Sequence, residues 1–238
     1  MIKILVSGGN SKFSKTLQKC KDGDIELIPL SKEEMDITDI NSIKQAIEKY
    51  KPNIFIHTAA LSRPMSLHSD HPDKSINTNI IGTSNCVIVC MEYNIKLIYI
   101  STDFVYPGLT GNYSEKDGVL PINKYAWSKL GGECACMLYD NSLILRTAMV
   151  EDPFPHDQAF TDVYKSSIWF DEAARIVLNL AKRNITGIIN IGKEPQSIFN
   201  FAKQRKGCIL PVLKQEIKEN KDNYNNTTMN ITKLKNIL

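Results

Sequence analysis

Residues 1–14, MIKILVSGGNSKFS, indicate the fold of the chain. A short apolar run, Ile2–Val6, leads directly into the turn SGGNS at residues 7–11 and then into a helix-like segment, Lys12–Cys20. A strand, a glycine turn and a helix in this order are typical of the first unit of a parallel α/β sheet. The N–H groups at the start of such a helix can hold the pyrophosphate of a dinucleotide.

The glycine turn departs from the Gly-x-x-Gly-x-x-Gly fingerprint of dinucleotide sites. Gly8 keeps its place, but Ser11 and Ser14 stand where the two later glycines would be. The turn alone therefore fits an ordinary tight turn as well as a cofactor site. A serine hydroxyl can still donate a hydrogen bond to a phosphate, so the substitutions do not exclude a cofactor. The candidate cofactor-binding residues of this segment are Gly8, Asn10, Ser11, Lys12 and Phe13.

The rest of the chain alternates strand-like and helical patterns. Further strands are predicted at Glu26–Pro29, Asn53–His57, Lys96–Ser101, Ser142–Arg146 and Gly187–Ile191. Further helices are predicted at Ile40–Tyr50, Asp73–Tyr93, around Tyr125 and at Phe170–Arg183. This alternation predicts an α/β fold, a Rossmann-type doubly wound parallel sheet with helices on both faces. We expect an NAD(P)-binding domain over residues 1–150 and a small substrate lobe over residues 151–238, whose helix and strand return to the core.

Size, charge and hydropathy restrict the class of protein. The chain has 238 residues and a formal net charge of +3, which is too small to predict nucleic acid as a partner. No apolar run approaches the roughly 18 residues needed to cross a membrane, and residues 1–6 lack the pattern of a signal peptide. We therefore expect a cytoplasmic protein with no membrane partner.

Cysteine and histidine spacing predicts neither disulfides nor a metal site. The six cysteines form no Cys-x-x-Cys pair, so free buried thiols are expected. The four histidines show no metal-ligand spacing, so each is expected to be hydrogen-bonded within the protein or to lie at the surface. The lysines between Lys203 and Lys221 are predicted to form a solvated face.

Polar residues follow several of the predicted strands, where ligands bind in doubly wound sheets. The second strand ends in Ser31 and Lys32, without the carboxylate that NAD-preferring sites place on the ribose 2′-hydroxyl. Together with Lys12, these residues would suit a 2′-phosphate better. We therefore predict NADPH as the cofactor, with NADH as the alternative.

A tyrosine and a lysine four residues apart, Tyr125 and Lys129, lie on one face of a predicted helix that Asn123 can cap. A phenol has an ordinary pKa of about 10, and a nearby ammonium group lowers it towards the range of general acid–base catalysis. The alternative to a catalytic role is that Tyr125 and Lys129 are an incidental pair on an exposed helix face. Thr102, at the end of the fourth predicted strand, could share a substrate carbonyl oxygen with the phenol. Thr102, Tyr125 and Lys129 are therefore the candidate catalytic residues.

Taken together, these motifs resemble the extended short-chain dehydrogenases/reductases, and most closely the dTDP-4-dehydrorhamnose reductases. Five stretches carry the resemblance: the glycine turn, MDITD at 35–39, HTAA at 57–60, STDFVY at 101–106 and YAWSK at 125–129. Weaker similarities follow at LILRT (143–147), WFDEAA (169–174) and MNITKL (229–234).

The resemblance implies that NAD(P)H delivers hydride to the C4 ketone of a nucleotide-linked 4-keto-6-deoxyhexose, dTDP- or UDP-linked. Tyr125 would donate the proton, Thr102 would hydrogen-bond the same oxygen, and Lys129 would hold the nicotinamide ribose and lower the Tyr125 pKa. The further residues implied for the cofactor are Asp36, Ile37, Ala59, Ala60 and Asn79. Those implied for the substrate are Asp103, Phe104 and Val105. A homodimer is expected by analogy.

Departures from the family pattern keep two alternatives open. The family's Arg-Thr-Ser-Trp stretch reads Arg146-Thr-Ala-Met149, and the region between Val150 and Phe170 is short. A nucleotide-sugar epimerase or dehydratase is one alternative, although Phe104 stands where dehydratases carry a second acidic residue. The other is a non-catalytic, NADP-binding regulatory subunit similar to the methionine adenosyltransferase β subunit.

Overall fold

The computed structural model describes residues 1–217 and 224–238. Its strands are β1 Ile2–Ser7, β2 Ile25–Leu30, β3 Ile54–His57, β4 Lys96–Ile100, β5 Ser142–Val150, β6 Gln158–Phe160, β7 Tyr164–Lys165, β8 Ser167–Trp169, β9 Gly187–Ile191, β10 Gln196–Ser197 and β11 Leu210–Val212. Its α-helices are α1 Lys12–Cys20, α2 Ile40–Tyr50, α3 Leu67–Asp70, α4 Pro72–Ser75, α5 Gly82–Glu92, α6 Lys124–Cys136, α7 Phe170–Ala181, α8 Ile198–Lys203 and α9 Thr232–Ile237.

A seven-stranded parallel sheet runs through the described residues in the order β2-β1-β3-β4-β5-β8, with β9 also paired to β5. β2 lies on one side of β1, whereas β3, β4 and β5 follow on the other. The strand order therefore reverses between β1 and β3, and the ligand crevice of a doubly wound sheet lies outside such a point. The predicted fold class is confirmed.

Helices cover both faces of this sheet. On one face α1, α7 and α9 bury a cluster that includes Leu17, Val177 and Leu234. On the other face α2, α5 and α6 bury a second cluster, with Ile43 and Val87 among its members. Strands buried on both faces are near-continuous apolar runs rather than alternating ones, which is the pattern seen in β3 and β4.

Several predicted elements differ from the structure by one or two residues at an end, and two differ more. β5 continues to Val150, because its last three residues pair with β8 after the earlier ones have paired with β9. The helix predicted at 73–93 is divided into α4, a π-helical segment at Ile76–Ile81 and α5. A π-helical segment of this kind is often found at a functional site.

A third apolar cluster follows β5 and packs Phe154, Ala159 and Phe201 around Trp169, whose ring stacks on Phe201 at 4.2 Å. The chain after residue 150 therefore supplies both this small cluster and the elements α7, β9 and α9 that join the main sheet.

The six cysteines all lie in the described part of the chain and are free thiols. Within residues 1–217 and 224–238, no helix is long and apolar enough to cross a membrane. Part of the predicted lysine face, including Lys218 and Lys221, lies outside the described residues.

Candidate active site

The turn after β1 brings its backbone very close to the neighbouring strands. Gly8 has a φ of +68°, and the N–H of Gly9 donates to the Leu30 carbonyl at 2.7 Å. A Cβ on Gly9 would lie 2.8 Å from the backbone of Leu30, so no larger residue fits without moving the strand. Asn10 and Ser11 are exposed at the tip of the turn, and the Ser11 side chain caps α1.

Ser14 replaces the third fingerprint glycine with a hydrogen-bonded contact. Its hydroxyl donates to the Gly8 carbonyl at 3.0 Å and lies 3.1 Å from the Thr58 hydroxyl. Thr58 in turn donates to the Ser7 carbonyl at 2.6 Å. The close packing of helix on strand that a glycine normally allows is thus achieved by buried hydroxyls, so the substituted fingerprint keeps an ordered turn.

The predicted 2′-phosphate ligands each contact a different carboxylate. Lys32 pairs with Asp36 at 3.7 Å, and the N–H of Ser31 donates to Glu34 at 2.8 Å. Lys12 pairs with a carboxylate beyond β5. Each of the three residues therefore already has a carboxylate partner within the protein.

Phe13 belongs to the protein core, where its ring meets Phe170 edge-on at 5.5 Å. It supports the start of α1 from beneath and has little surface for a ligand.

Asp36 and Ile37 form a rigid edge between β2 and α2. Burial alone would raise the pKa of Asp36, but hydrogen bonds from the N–H and hydroxyl of Thr38, at 2.9 and 2.7 Å, hold it below its usual value. The Ile37 carbonyl accepts from the Asn85 side chain at 3.0 Å. The two predicted adenine contacts are therefore held in place by neighbouring side chains.

The buried His57, the last residue of β3, orders the segment Ala59–Ala60 that follows the strand. His57 lies 2.8 Å from the Ser7 hydroxyl and 3.0 Å from the Thr83 hydroxyl. The Ser7 hydroxyl also accepts from the N–H of Ala59 at 3.2 Å. Burial lowers the pKa of His57 to about 3, so its imidazole is neutral at physiological pH. The predicted satisfied role of His57 agrees with these contacts.

Asn79 lies in the π-helical segment and is 1% exposed. Its amide accepts from the N–H of Leu61 at 2.8 Å and donates to the Leu61 carbonyl and the Ser128 hydroxyl, at 2.9 and 2.8 Å. The side chain therefore ties the loop after β3 to α6, and its contribution to a cofactor site is to position that loop.

Thr102, Tyr125 and Lys129 come together at the carboxyl edge of the sheet. Asn123 caps α6 by accepting from the Ala126 N–H at 2.9 Å, which sets the first turn of the helix carrying Tyr125. The Thr102 side chain lies close enough to the Tyr125 phenol to lower its pKa, and its hydroxyl donates to Asp103 at 3.3 Å. Lys129 is buried, with its ammonium 4.1 Å from the centre of the Tyr99 ring.

The expectation that Lys129 lowers the Tyr125 pKa is contradicted. Burial raises the pKa of Tyr125 to about 12, and the Asp103 carboxylate adds to this rise. Burial also lowers the pKa of Lys129 to about 7. The physical reason is desolvation, which disfavours the charged form of both groups. At neutral pH Tyr125 is therefore a protonated phenol, which can donate a proton.

The segment after Thr102 is tied to the C-terminal part of the chain. Asp103 is buried, pairs with Lys165 at 2.8 Å and accepts from the Thr227 hydroxyl. Phe104 lies under the Lys165 ammonium, 3.7 Å from its ring centre, and is partly exposed. Val105 is 0% exposed and packs in a small core cluster. Of the three predicted substrate residues, only Phe104 thus has appreciable accessible surface.

Comparison with known proteins shows the family of the chain. Residues 2–165 match the family model described as the RmlD substrate binding domain. The chain belongs to this family. The resemblance inferred from the sequence motifs is thereby confirmed.

Named relatives of this RmlD-family chain include two different kinds of protein. A dTDP-4-dehydrorhamnose reductase of Aggregatibacter actinomycetemcomitans is 28% identical over 152 residues, 62% of this chain and 51% of that protein. The methionine adenosyltransferase 2 subunit beta of Bos taurus is 32% identical over 105 residues, 44% of this chain and 31% of that protein. The chain thus matches about half, or less, of the length of these curated relatives.

Among solved structures, a dTDP-4-dehydrorhamnose reductase of Bacillus anthracis in complex with NADP superposes with a TM-score of 0.88 at 23% identity. The superposition covers 100% of this chain and 93% of that one. At this level of identity the match shows a shared fold.

The sequence motifs did not predict a buried ionic network that lies beneath the site of the RmlD-family chain. Arg146 donates to both carboxylate oxygens of Glu133, at 2.8 and 3.2 Å, and to the Tyr106 hydroxyl at 3.0 Å. Ser101 donates to the same carboxylate, and Tyr106 donates to Asn190 at 2.8 Å. An arginine within an apolar strand was the available signal, since a buried charge requires a partner.

His68 also has more contact with the site than the sequence predicted. It is buried, its Nδ1 lies 2.8 Å from the Ser75 hydroxyl, and its ring centre is 5.2 Å from that of Tyr125. It therefore supports one side of the Tyr125 ring. Among residues 1–217 and 224–238, no group of three or more His, Cys, Asp or Glu side chains could hold a metal ion.

Proposed function

We propose that this chain is an NADPH-dependent reductase that acts on the C4 ketone of a nucleotide-linked 4-keto-6-deoxyhexose, dTDP- or UDP-linked, in deoxysugar biosynthesis. The observation that carries the proposal is the proximity of Thr102 to the Tyr125 phenol, one helical turn from buried Lys129, at the carboxyl edge of a doubly wound sheet. Named relatives that are dTDP-4-dehydrorhamnose reductases support this choice of substrate class.

The glycine turn fits a dinucleotide, because the close contact of Gly8 and Gly9 with the neighbouring backbone keeps the turn tight directly before the first N–H groups of α1. NADPH would supply the hydride. Ser11 and the first N–H groups of α1 would hold its diphosphate, and Ser31 and Lys32 its 2′-phosphate. The NADP complex of the Bacillus anthracis protein supports this cofactor, with NADH as the alternative.

Tyr125 donates a proton to the oxygen that becomes the alcohol. Its high pKa keeps the phenol protonated at neutral pH, so the donor is present in the correct form. The Thr102 hydroxyl donates to the same oxygen and stabilises the charge that develops on it. Lys129 would hold the nicotinamide ribose, and Phe104 would offer the sugar its partly exposed ring.

The test is turnover of NADPH with freshly prepared dTDP- and UDP-4-keto-6-deoxyhexoses, followed by absorbance and product analysis. Tyr125→Phe should lower kcat by about 100-fold or more, since it removes the general acid. Tyr93→Phe, which alters a partly buried tyrosine directly after α5 whose hydroxyl donates to Glu48, should leave kcat unchanged. Tight NADPH binding by the wild type without turnover of any keto sugar would refute the reductase function.

A non-catalytic regulatory subunit is the second candidate. The 32% identity to methionine adenosyltransferase 2 subunit beta and the substituted fingerprint favour it. It would bind NADPH without turnover and form a stable complex with a partner enzyme. Co-purification with an adenosyltransferase, together with inactivity on keto sugars, would establish it. A dehydratase is disfavoured by Phe104, which stands in place of a second acidic residue, whereas an epimerase would differ from the reductase by retaining its cofactor through the cycle.

Residues 151–238 serve as a reduced substrate lobe next to the cofactor domain of residues 1–150, and the protein acts in the cytoplasm. It forms a homodimer through α5 and α6. Exposed apolar side chains lie on or next to these packed helices, and together they are called the α5/α6 face: Ile81 before α5, Ile88 and Met91 on α5, Trp127 on α6 and Leu138 after α6. Exposed apolar surface of this extent on neighbouring helices is typical of an interface.

A further inference from the structure

Three charged side chains from three separate elements meet at the carboxyl edge of the sheet. Lys12 lies in the first turn of α1, Arg63 in the loop after β3, and Glu151 directly after β5. The Glu151 carboxylate pairs with the Lys12 ammonium and lies 3.4 Å from the Arg63 guanidinium. The two cations are 76% and 68% exposed, whereas Glu151 is only 14% exposed.

The three side chains differ in exposure and number from an ordinary surface ion pair, in which one cation and one carboxylate are both exposed. One nearly buried carboxylate satisfies two exposed cations that stand on either side of the strand-order reversal between β1 and β3. The hydrogen bond from Lys12 keeps the pKa of Glu151 below its usual value, so the carboxylate is charged at neutral pH. The proposed catalytic step uses none of these residues.

Lys12 immediately follows the Ser11 cap, at the helix start where the proposed function seats a diphosphate. A diphosphate carries two negative charges and more acceptor oxygens than a carboxylate, so it attracts the same cations more strongly. Glu151 and a bound diphosphate would therefore compete for Lys12 and Arg63.

We propose that Glu151 is an internal anion that holds Lys12 and Arg63 until the diphosphate of a bound nucleotide, that of the cofactor, takes both cations from it. The inference rests on the proposed function. Glu151 then limits cofactor affinity and eases the exchange of oxidised for reduced cofactor, which a reductase needs in every cycle.

Calorimetric titration of the purified protein with NADPH and, separately, with dTDP tests the proposal. Glu151→Gln removes the competing charge and should tighten NADPH binding by about three-fold, the scale of one partly exposed ion pair. Asp152→Asn, which removes the neighbouring carboxylate, controls for net charge and should change the NADPH affinity much less. Lys12→Gln and Arg63→Gln should each weaken NADPH binding.

A double-substitution cycle makes the test specific. In a chain already carrying Lys12→Gln and Arg63→Gln, adding Glu151→Gln should no longer tighten binding, because the competition has been removed. Thermal melting of each variant checks that the fold is intact. Unchanged or weaker NADPH binding by a folded Glu151→Gln protein, or equal tightening by Asp152→Asn, would overturn the proposal.

The remaining outcomes separate this proposal from the proposed function. Tightening of dTDP binding alone would overturn the assignment to the cofactor and identify the substrate diphosphate as the competitor. NADPH binding that responds to Glu151→Gln without turnover of keto sugars refutes the reductase and supports the role of Glu151. A wild-type protein that binds neither nucleotide refutes both.

Discussion

Tyr125 and Lys129 lie one turn apart on α6, yet burial shifts their pKa values in opposite directions. The pKa of Tyr125 rises to about 12 and that of Lys129 falls to about 7. Each shift reflects the cost of keeping a charge away from water. The protein therefore keeps a neutral proton donor at the proposed site, and its fold is destabilised at neutral pH by the buried ammonium group.

Lys129→Met should stabilise the fold at pH 7 by about 2 kcal/mol while abolishing turnover, because an apolar side chain of similar length removes the buried charge. Between pH 7 and about 10, the unfolded wild type binds more protons than the folded one, so wild-type stability should rise with pH at this residue. The variant should lack this contribution. Urea unfolding at pH 7 and pH 9 measures both effects.

Lys124→Met, on the exposed side of the same helix, is the matched control and should change stability little. Lower stability of Lys129→Met at pH 7, or the same pH dependence as the wild type, would contradict this account of burial.

At the scale of elements, the turn between β1 and α1 depends on backbone contact rather than on the full glycine fingerprint. Gly9→Ala would place a Cβ 2.8 Å from the backbone of Leu30 in β2. Because a strand cannot move as a side chain can, we expect a loss of about 1–3 kcal/mol in the free energy of unfolding. NADPH binding should weaken as well.

Gly23→Ala is the control for Gly9→Ala, since a Cβ on Gly23 would meet no atom within 4 Å. Chemical unfolding and NADPH titration of the two variants provide the comparison. Equal stability of the two variants would show that the turn can accommodate a Cβ at residue 9, contrary to the contact distances.

The Glu133–Arg146 pair joins α6 to β5 beneath the proposed site. Glu133→Gln would leave the Arg146 guanidinium buried without a countercharge, so we expect a loss of about 3–5 kcal/mol. Glu92→Gln breaks an exposed pair with Lys44 and should cost less than about 1 kcal/mol. Urea unfolding of both variants measures the difference, and similar small losses would argue against a structural role for the buried network.

At the scale of the whole molecule, the C-terminal segment returns to the loop that carries the proposed site. Met229 pairs through its backbone with Tyr113, and Thr227 donates to Asp103. The loop that positions Thr102 is therefore fixed by residues more than 100 positions away in the chain. Loss of this segment would disturb the proposed site without removing any catalytic residue.

The exposed α5/α6 face predicts a dimer. Ile88→Glu should convert the protein to a monomer, because it places a charge in the proposed apolar interface. Leu210→Glu, at an exposed apolar position on β11, should leave the dimer intact. Light scattering after size-exclusion chromatography measures the mass of each, and a monomeric wild type would rule out this interface.

Much of the fold and part of the site follow from local pattern. Buried strands, the glycine turn and the spacing of Tyr125 and Lys129 depend on neighbouring residues, so α1, α2 and β9 have the bounds predicted for them. The sequence also indicated Thr102 as the partner of the phenol. The family resemblance and the parallel sheet could also be predicted from the sequence, because both depend on local motifs and local patterns.

Only the tertiary structure decided the electrostatics of the site. The opposite pKa shifts on α6, the buried Glu133–Arg146 pair and the contact of Lys12 with Glu151 arise between elements. Lys12 and Glu151 are 139 residues apart in the chain. Such pairings, and the burial that sets each pKa, depend on how the fold brings distant loops together at the edge of the sheet. The spacing of residues within one element does not predict contacts between residues so far apart in the chain.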